Sequence, residues 1–214
     1  MTSPTIQVSD TFLSIQGEST YAGLPCFFIR LAGCNLSCSY CDTVAASQDI
    51  GRARSIASLA TEVDRSKAAI CEITGGEPLL QPGFTRLARA LLKATSRPVL
   101  VETNGSLDLS LVPTGAVAIM DVKTPGSGMH GSMHWENIAR LRPHDEVKFV
   151  LVDRRDYEWA RRMVRRHDIA RRCRAVHFSP VLDTLAPDCL ARWILKDRLA
   201  VHLHLQLHKV VGLK

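Results

Sequence analysis

Cys34, Cys38 and Cys41 fall within the short run Gly33-Cys-Asn-Leu-Ser-Cys-Ser-Tyr-Cys41, a C-x₃-C-x₂-C spacing. Three thiolates so placed can ligate three irons of a cubane iron–sulfur cluster and leave the fourth iron without a local protein ligand. An iron left open in this way is a place where a small molecule can bind and receive an electron. Electron-transfer ferredoxins differ, because their C-x₂-C-x₂-C-x₃-C run supplies four thiolates. A structural zinc site is the alternative, but zinc there takes four protein ligands and no fourth cysteine lies nearby at a usual spacing. Cys26 and Cys71 sit inside apolar runs, and Cys173 and Cys189 lie by helix ends, so all four read as core or half-buried side chains.

Such a loop needs a scaffold that brings it to other chemistry. Apolar runs at residues 26–33, 68–73, 98–102, 116–122, 146–152 and 175–178 predict short strands covered on both faces. Helix-period segments at 56–66, 84–95, 135–141, 157–172 and 190–199 alternate with them. This order predicts an α/β fold with right-handed crossovers. Six parallel strands are too few for a closed eight-stranded barrel, so the expected architecture is an open partial (β/α) barrel. No linker or repeat interrupts it, and residues 1–214 read as one domain. Sheets of this kind place their sites at the carboxyl ends of the strands. Cys34, Thr74-Gly-Gly-Glu-Pro78, Asn104-Gly105, Lys123 and Ser179-Pro180 all follow such ends. The stretch Val201-His-Leu-His-Leu-Gln-Leu-His208 alternates strictly, predicting a last strand whose polar face turns toward the site mouth. His202, His204 and His208 on that face resemble a metal site, yet histidines two apart on a polar strand face are more often solvated.

Composition narrows the class. Of 214 residues, 46% are hydrophobic and 22% charged, as in ordinary globular proteins. There is no basic region followed by an apolar run at the N-terminus and no span of membrane length. With seven cysteines, this predicts a reducing, cytoplasmic setting and metal binding in place of a disulfide framework. The net charge of +6 owes much to arginines between 154 and 174, whose spacing around Trp159, Met163, Val164 and Ile169 reads as the solvated face of an amphipathic helix. No nucleic-acid module accompanies them, so no nucleic-acid partner is expected.

The cysteine run, with aromatic Tyr40 before its last cysteine, resembles the signature of the radical S-adenosylmethionine (SAM) superfamily, and Thr74-Gly-Gly-Glu-Pro78 resembles that superfamily's second motif. Phe12-Leu-Ser-Ile-Gln-Gly-Glu18, Phe28-Ile-Arg-Leu-Ala-Gly-Cys-Asn35, Cys41-Asp-Thr43, Glu102-Thr-Asn-Gly105 and Gln206-Leu-His-Lys209 resemble the narrower 7-carboxy-7-deazaguanine synthase family, in order along the chain. Leu207 departs mildly, where the family often has threonine. The resemblance implies a radical SAM core, a [4Fe–4S] cluster and SAM cleaved to a 5′-deoxyadenosyl radical. It implies ring contraction of 6-carboxy-5,6,7,8-tetrahydropterin to 7-carboxy-7-deazaguanine with loss of ammonia, a lyase step of queuosine (7-deazapurine) biosynthesis. SAM is regenerated, and a magnesium ion assists by binding the substrate carboxylate. A homodimer is expected, with flavodoxin or ferredoxin as electron donor.

Carried onto this sequence, the resemblance makes Cys34, Cys38 and Cys41 the cluster ligands. Thr43 becomes a magnesium ligand, with a helix N-cap threonine as the alternative and Asp42 orienting the loop. Ile15, Gln16, Gly17, Glu18, Arg30, Thr74 and the terminal Lys214 would meet substrate. Arg30 could pair bidentately with the pterin carboxylate; a surface arginine is the alternative. Glu102 and His208 are the candidates for catalysis, though Glu102 could be a plain structural acceptor. Gly76, Glu77, Asp121, Val122, Lys123, Ser179, Pro180, Val181 and Leu182 would line the cosubstrate, Glu77 as a support or a contact. Two other functions fit the cysteine loop. A glycyl-radical-enzyme activase acts on a partner protein and needs neither the Ser-Ile-Gln-Gly-Glu start nor the Gln-x-His-Lys end. A noncatalytic iron–sulfur protein engaging RNA through its arginines would bind with steep salt dependence and leave SAM intact.

Overall fold

The computed structural model describes residues 4–213. It opens with a hairpin of β1 (Thr5–Ile15) and β2 (Pro25–Leu31), and a short edge strand β3 (Arg52–Ser55) pairs with the outer side of β1. From β2 the sheet continues in parallel through β4 (Ile70–Gly75), β5 (Val99–Thr103), β6 (Val117–Asp121), β7 (Glu146–Leu151) and β8 (Ala175–Pro180), ending at the two-residue β9 (His202–Leu203). The six parallel strands expected from the apolar runs are all present, each within two residues of its expected start. β1 and β3 were not expected. Their polar residues and half-exposed pattern carry no uninterrupted apolar run.

Helices cross over between the strands. α1 (Val44–Gln48) follows the cysteine loop, and α2 (Ile56–Ser66) packs Ile56, Leu59 and Val63 inward, one helical stripe. Its end is set by Lys67, held in the left-handed region at φ 55°. α3 (Phe84–Ala94) buries Phe84, Leu87, Ala88 and Leu91, and α4 (Asn137–Arg140) is a single turn, shorter than its apolar pattern suggested. α5 (Arg154–Arg166) starts where the Asp153 carboxylate accepts from Asp156 N at 2.9 Å. It stops at His167, short of the expected Arg172, because Asp168 turns left-handed and a 3₁₀ turn follows. Most of its arginines face solvent; Arg154 also lies over the Trp193 ring and Arg161 pairs with Asp197. α6 (Pro187–Asp197) completes the layer.

Alternation along the strands separates two interiors. Ile29, Leu31, Ile73, Val99, Val101, Ala118, Met120, Val147, Phe149 and Phe178 point outward into the main core beneath the helices. Cys26, Phe28, Ile70, Leu100, Val117 and Ile119 point to the concave side and form a smaller apolar floor with Phe12 and Tyr21. Two residues further along the same strands the concave face becomes polar, at Arg30, Glu72, Glu102 and Asp121. A pocket with an apolar floor and an ionic rim is thus built into the period of the strands.

The tail departs from the sequence expectation. In place of a strand to His208, β9 covers two residues and α7 (Leu207–Val211) follows. Leu203 and Leu205 are exposed, while His204 and Gln206 are buried. The polar face is the inner one because it has partners: Gln206 donates to Glu18, and the His204 ring packs 5.1 Å from that of His177. His204 is therefore not solvated. No helix among them is long and apolar enough to cross a membrane.

Candidate active site

β2 ends at Leu31 and turns at Gly33, whose φ of 84° suits a residue without a β-carbon. The cysteine loop that follows is anchored at both flanks. Gly33 N donates to Ala46 O at 2.9 Å, Ser39 N to Ser127 O at 3.1 Å, and Ser39 Oγ to Gly126 O at 2.7 Å. Cys34, Cys38 and Cys41 are free, half-exposed and open on one pocket. Asn104 Nδ2 lies 3.8 Å and Leu36 N 3.4 Å from Cys34 Sγ, donors of the kind that tune a metal-bound sulfur. The remaining cysteines lie elsewhere; burial pushes the Cys71 thiol up to about 12 and that of Cys173 to about 11.

The glycine-rich turn after β4 presses against this loop. A β-carbon on Gly76 would lie 2.1 Å from Gly33 O and 2.8 Å from Cys34 Cβ. Glu77 points away from the pocket, fully buried, accepting from Leu79 N at 2.9 Å, Thr103 Oγ1 at 2.8 Å and Asn104 N at 2.6 Å. It fastens the turn to the end of β5, and burial raises its carboxyl to about 7 despite those bonds. Thr43 stands at the N-cap position of α1 but its side chain makes no cap bond; its hydroxyl lies 3.8 Å from Cys41 Sγ and lines the pocket. Asp42 pairs with Lys209 at 2.7 Å, tying the tail to the cysteine loop.

Opposite the cysteines lies an ionic cluster. Lys148 Nζ donates to Glu18 and to Glu102 and stands 3.7 Å from Asp121 Oδ2, which Lys123 Nζ also reaches at 2.9 Å. Burial alone would raise Glu18, but the Lys148 charge and bonds from Lys148 and Gln206 hold it at about 2. Glu72 accepts from Gln16 Nε2; burial and the neighbouring Glu102 push it well above the usual carboxylate range. Burial raises Glu102 as well, against the pull of Lys148. Thr74 Oγ1 stands 3.5 Å from Glu102 Oε2.

Of the residues expected at a site, Ile15, Gln16, Gly17, Glu18, Arg30, Thr74, Glu102 and His208 line this one pocket, as do Thr43, Gly76, Asp121, Lys123, Val181 and the three cysteines. Val122, Ser179 and Pro180 are buried beside it, Leu182 is exposed beyond it, and Lys214 lies outside the described residues. Asp121 Oδ1 and Ser179 Oγ are buried with no protein partner.

Comparison with known proteins matches residues 28–121 to the Radical SAM superfamily. The chain is 42% identical to the 7-carboxy-7-deazaguanine synthase of Koribacter versatilis, covering 96% of each, and 42% identical to that of Chlorobaculum tepidum, covering 96% of this chain and 94% of the relative. The chain belongs to the 7-carboxy-7-deazaguanine synthase family. QueE from Escherichia coli, at 22% identity, has the same fold with a TM-score of 0.77 over 95% of each chain.

Within this family member, the sequence motifs passed over Lys148 and Glu72, and gave Asn104 a place at a strand end but no role. Lys148 and Glu72 stand in the middle of otherwise apolar strands, at positions two residues from other concave-face side chains. A charged residue inside a run covered on both faces was the available signal, since such a group is almost never buried unless paired.

Proposed function

We propose that this chain is a radical SAM lyase that converts 6-carboxy-5,6,7,8-tetrahydropterin to 7-carboxy-7-deazaguanine with release of ammonia. One observation carries the reading: three free cysteines, the glycine-rich turn and the turn after β1 open on a single pocket, in a chain that aligns almost end to end with synthases of this name. The donor set fits a cluster, with three thiols on one anchored loop, donors beside Cys34 Sγ, and no fourth cysteine on the pocket. The orphaned Asp121 Oδ1 and Ser179 Oγ fit a polar cosubstrate nearby. When bound, the cluster and SAM supply the electron and the radical centre that removes a hydrogen atom from the substrate.

The protein's own residues then bind and position. Cys34, Cys38 and Cys41 hold the cluster, and the Gly76 backbone takes the methionine end of SAM, with Glu77 as a support. Asp121, Val122 and Lys123 flank the SAM carboxylate and ribose, and Ser179, Pro180, Val181 and Leu182 the adenine side. Arg30, with its guanidinium 5.6 Å from the Phe12 ring centre, takes the pterin carboxylate bidentately. The Thr43 hydroxyl offers a hard oxygen to magnesium. Ile15, Gln16, Gly17, Glu18 and Thr74 meet the heterocycle, and Lys214 meets substrate from the terminus. Glu102 exchanges protons during ring contraction. His208, kept neutral by burial, accepts a hydrogen bond or a proton. Residues 1–214 act as a single radical SAM domain in the cytoplasm, as a homodimer, with flavodoxin or ferredoxin as reductant. An activase is not favoured, since the named relatives are all synthases.

Anaerobic reconstitution with iron and sulfide, then incubation with SAM, dithionite, magnesium and the pterin, tests the reading. The deazaguanine acid should appear by mass spectrometry, and Cys38→Ala should lose both brown colour and turnover. Coloured wild-type protein that cleaves SAM yet leaves the pterin unchanged sinks the assignment.

A further inference from the structure

Lys148 lies in none of the stretches whose resemblance was noted above, yet it lines the pocket on the concave face. Its side chain is 5% exposed, and three carboxylates from three elements surround its ammonium: Glu18 from the turn after β1, Glu102 from β5 and Asp121 from β6. An ion pair that only fastened the turn to the barrel would be covered from the pocket. This one is not, because the Glu102 side chain remains 27% exposed. Lys148 binds Glu102 Oε1, whereas Oε2 has only Thr74 Oγ1 at 3.5 Å and stays available to the cavity. The two carboxylates are in different states of use. Glu18 has one oxygen held by Lys148 and the other by Gln206, so it has no oxygen left unpaired. Glu102 is pinned by one oxygen and offers the second.

We propose that Lys148 is a positioning residue for the pterin reaction: its ammonium fixes Glu102 by one oxygen and aims the other oxygen at the substrate ring. The inference rests on the pterin reading above and goes beyond it by naming what sets the orientation and charge of the proton-exchanging carboxylate. The surroundings require such a cation. Glu72 and Asp121 also border Glu102, and the substrate brings a carboxylate of its own. Without the ammonium, Glu102 would take up a proton and turn freely, and a carboxylic acid cannot accept the proton that leaves the ring.

The test compares reconstituted wild type, Lys148→Met and Lys148→Arg, with cluster absorbance checking that the cysteine loop is intact. Methionine keeps the length and removes the charge. Lys148→Met should lower kcat/KM by about 100-fold, the usual result of a misaligned reacting group. It should also move the acid limb of the kcat/KM profile up by about one pH unit or more, because losing a neighbouring cation raises a carboxyl pKa. Calorimetry should show weaker pterin binding to the SAM-loaded protein. Lys148→Arg keeps the charge in another shape, so it should leave the limb in place and recover part of the rate. If leaving two buried carboxylates unpaired unfolds Lys148→Met, the double variant with Glu18→Gln removes one of them and should show a smaller limb shift in the same direction. An unmoved limb with unchanged pterin binding overturns the proposal, and so does an arginine variant shifted as far as the methionine one. Wild type that fails to convert the pterin overturns the functional reading first, and the role of Lys148 with it.

Discussion

A β-carbon at position 17 would lie 1.9 Å from His208 Nδ1 and 2.9 Å from the His208 backbone nitrogen. The imidazole can swing aside, but the backbone can yield only if the tail shifts. At position 76 the same atom would meet Gly33 O and Cys34 Cβ. Two alanine substitutions therefore separate two functions of the pocket. Gly17→Ala should cost about 1–3 kcal/mol in stability, raise KM for the pterin at least tenfold, and leave cluster iron unchanged. Gly76→Ala should instead lower bound iron and SAM cleavage together, because the glycine turn and the cysteine loop cannot both keep their places. Iron assay and steady-state kinetics on the two variants distinguish these outcomes; equal iron loss in both would show that the tail and the cysteine loop are not separately anchored. Both glycines were legible from the motifs as substrate and cosubstrate positions, but their packing against the tail and the cysteine loop was not. Lys148 was not, since its three carboxylate partners are 130, 46 and 27 positions away in sequence and meet only in the folded sheet.

At the scale of elements, six parallel strands were legible because strands buried on both faces leave continuous apolar runs. β1 was not, because only its first residues are deeply buried and the rest is mixed. The tail was legible as alternating with its polar face toward the site, but its short strand, the helix after it and the burial of His204 were not. Apolar side chains turn outward there because Gln206 donates to Glu18 within and the His204 ring packs against that of His177. The burial of His204 has a pH consequence. Burial lowers His204 from 6.5 to about 4, against the opposing pull of Glu18, and its Nε2 has no partner. Between those values the unfolded chain binds a proton that the native state refuses, so stability is greatest above pH 6.5 and falls as pH drops toward 4. Allowing for partial solvent access, the loss attributable to this group is about 2 kcal/mol. Urea unfolding at pH 7 and pH 5 should show it in wild type, and His204→Gln should reduce the difference by that amount.

The whole molecule is a sheet whose two ends are not paired with each other: β3 stands at one edge and β9 at the other. An open barrel would leave its concave face wet along one side. The tail closes that side. Leu207 N donates to Gly17 O at 2.9 Å, Gln206 holds Glu18, and Lys209 reaches Asp42 on the cysteine loop at 2.7 Å. These contacts join the β1–β2 turn, the last strand and the cysteine loop around one pocket. They contribute little to the main core, which lies outside the sheet and includes no residue of the tail beyond the partly buried Val201. The Lys209–Asp42 pair is half-exposed and worth at most about 1 kcal/mol. A chain ending at Leu205 should therefore fold, with a melting temperature lowered by roughly 5 °C, and should keep its iron. It should lose pterin turnover by at least about 100-fold, because the substrate side of the pocket then opens to water and Glu18 loses one of its two partners. Calorimetric melting, iron content and product yield on that truncation decide the point. A truncated chain that keeps full turnover would show that the barrel needs no closure on this side, and one that fails to fold would make the tail part of the scaffold.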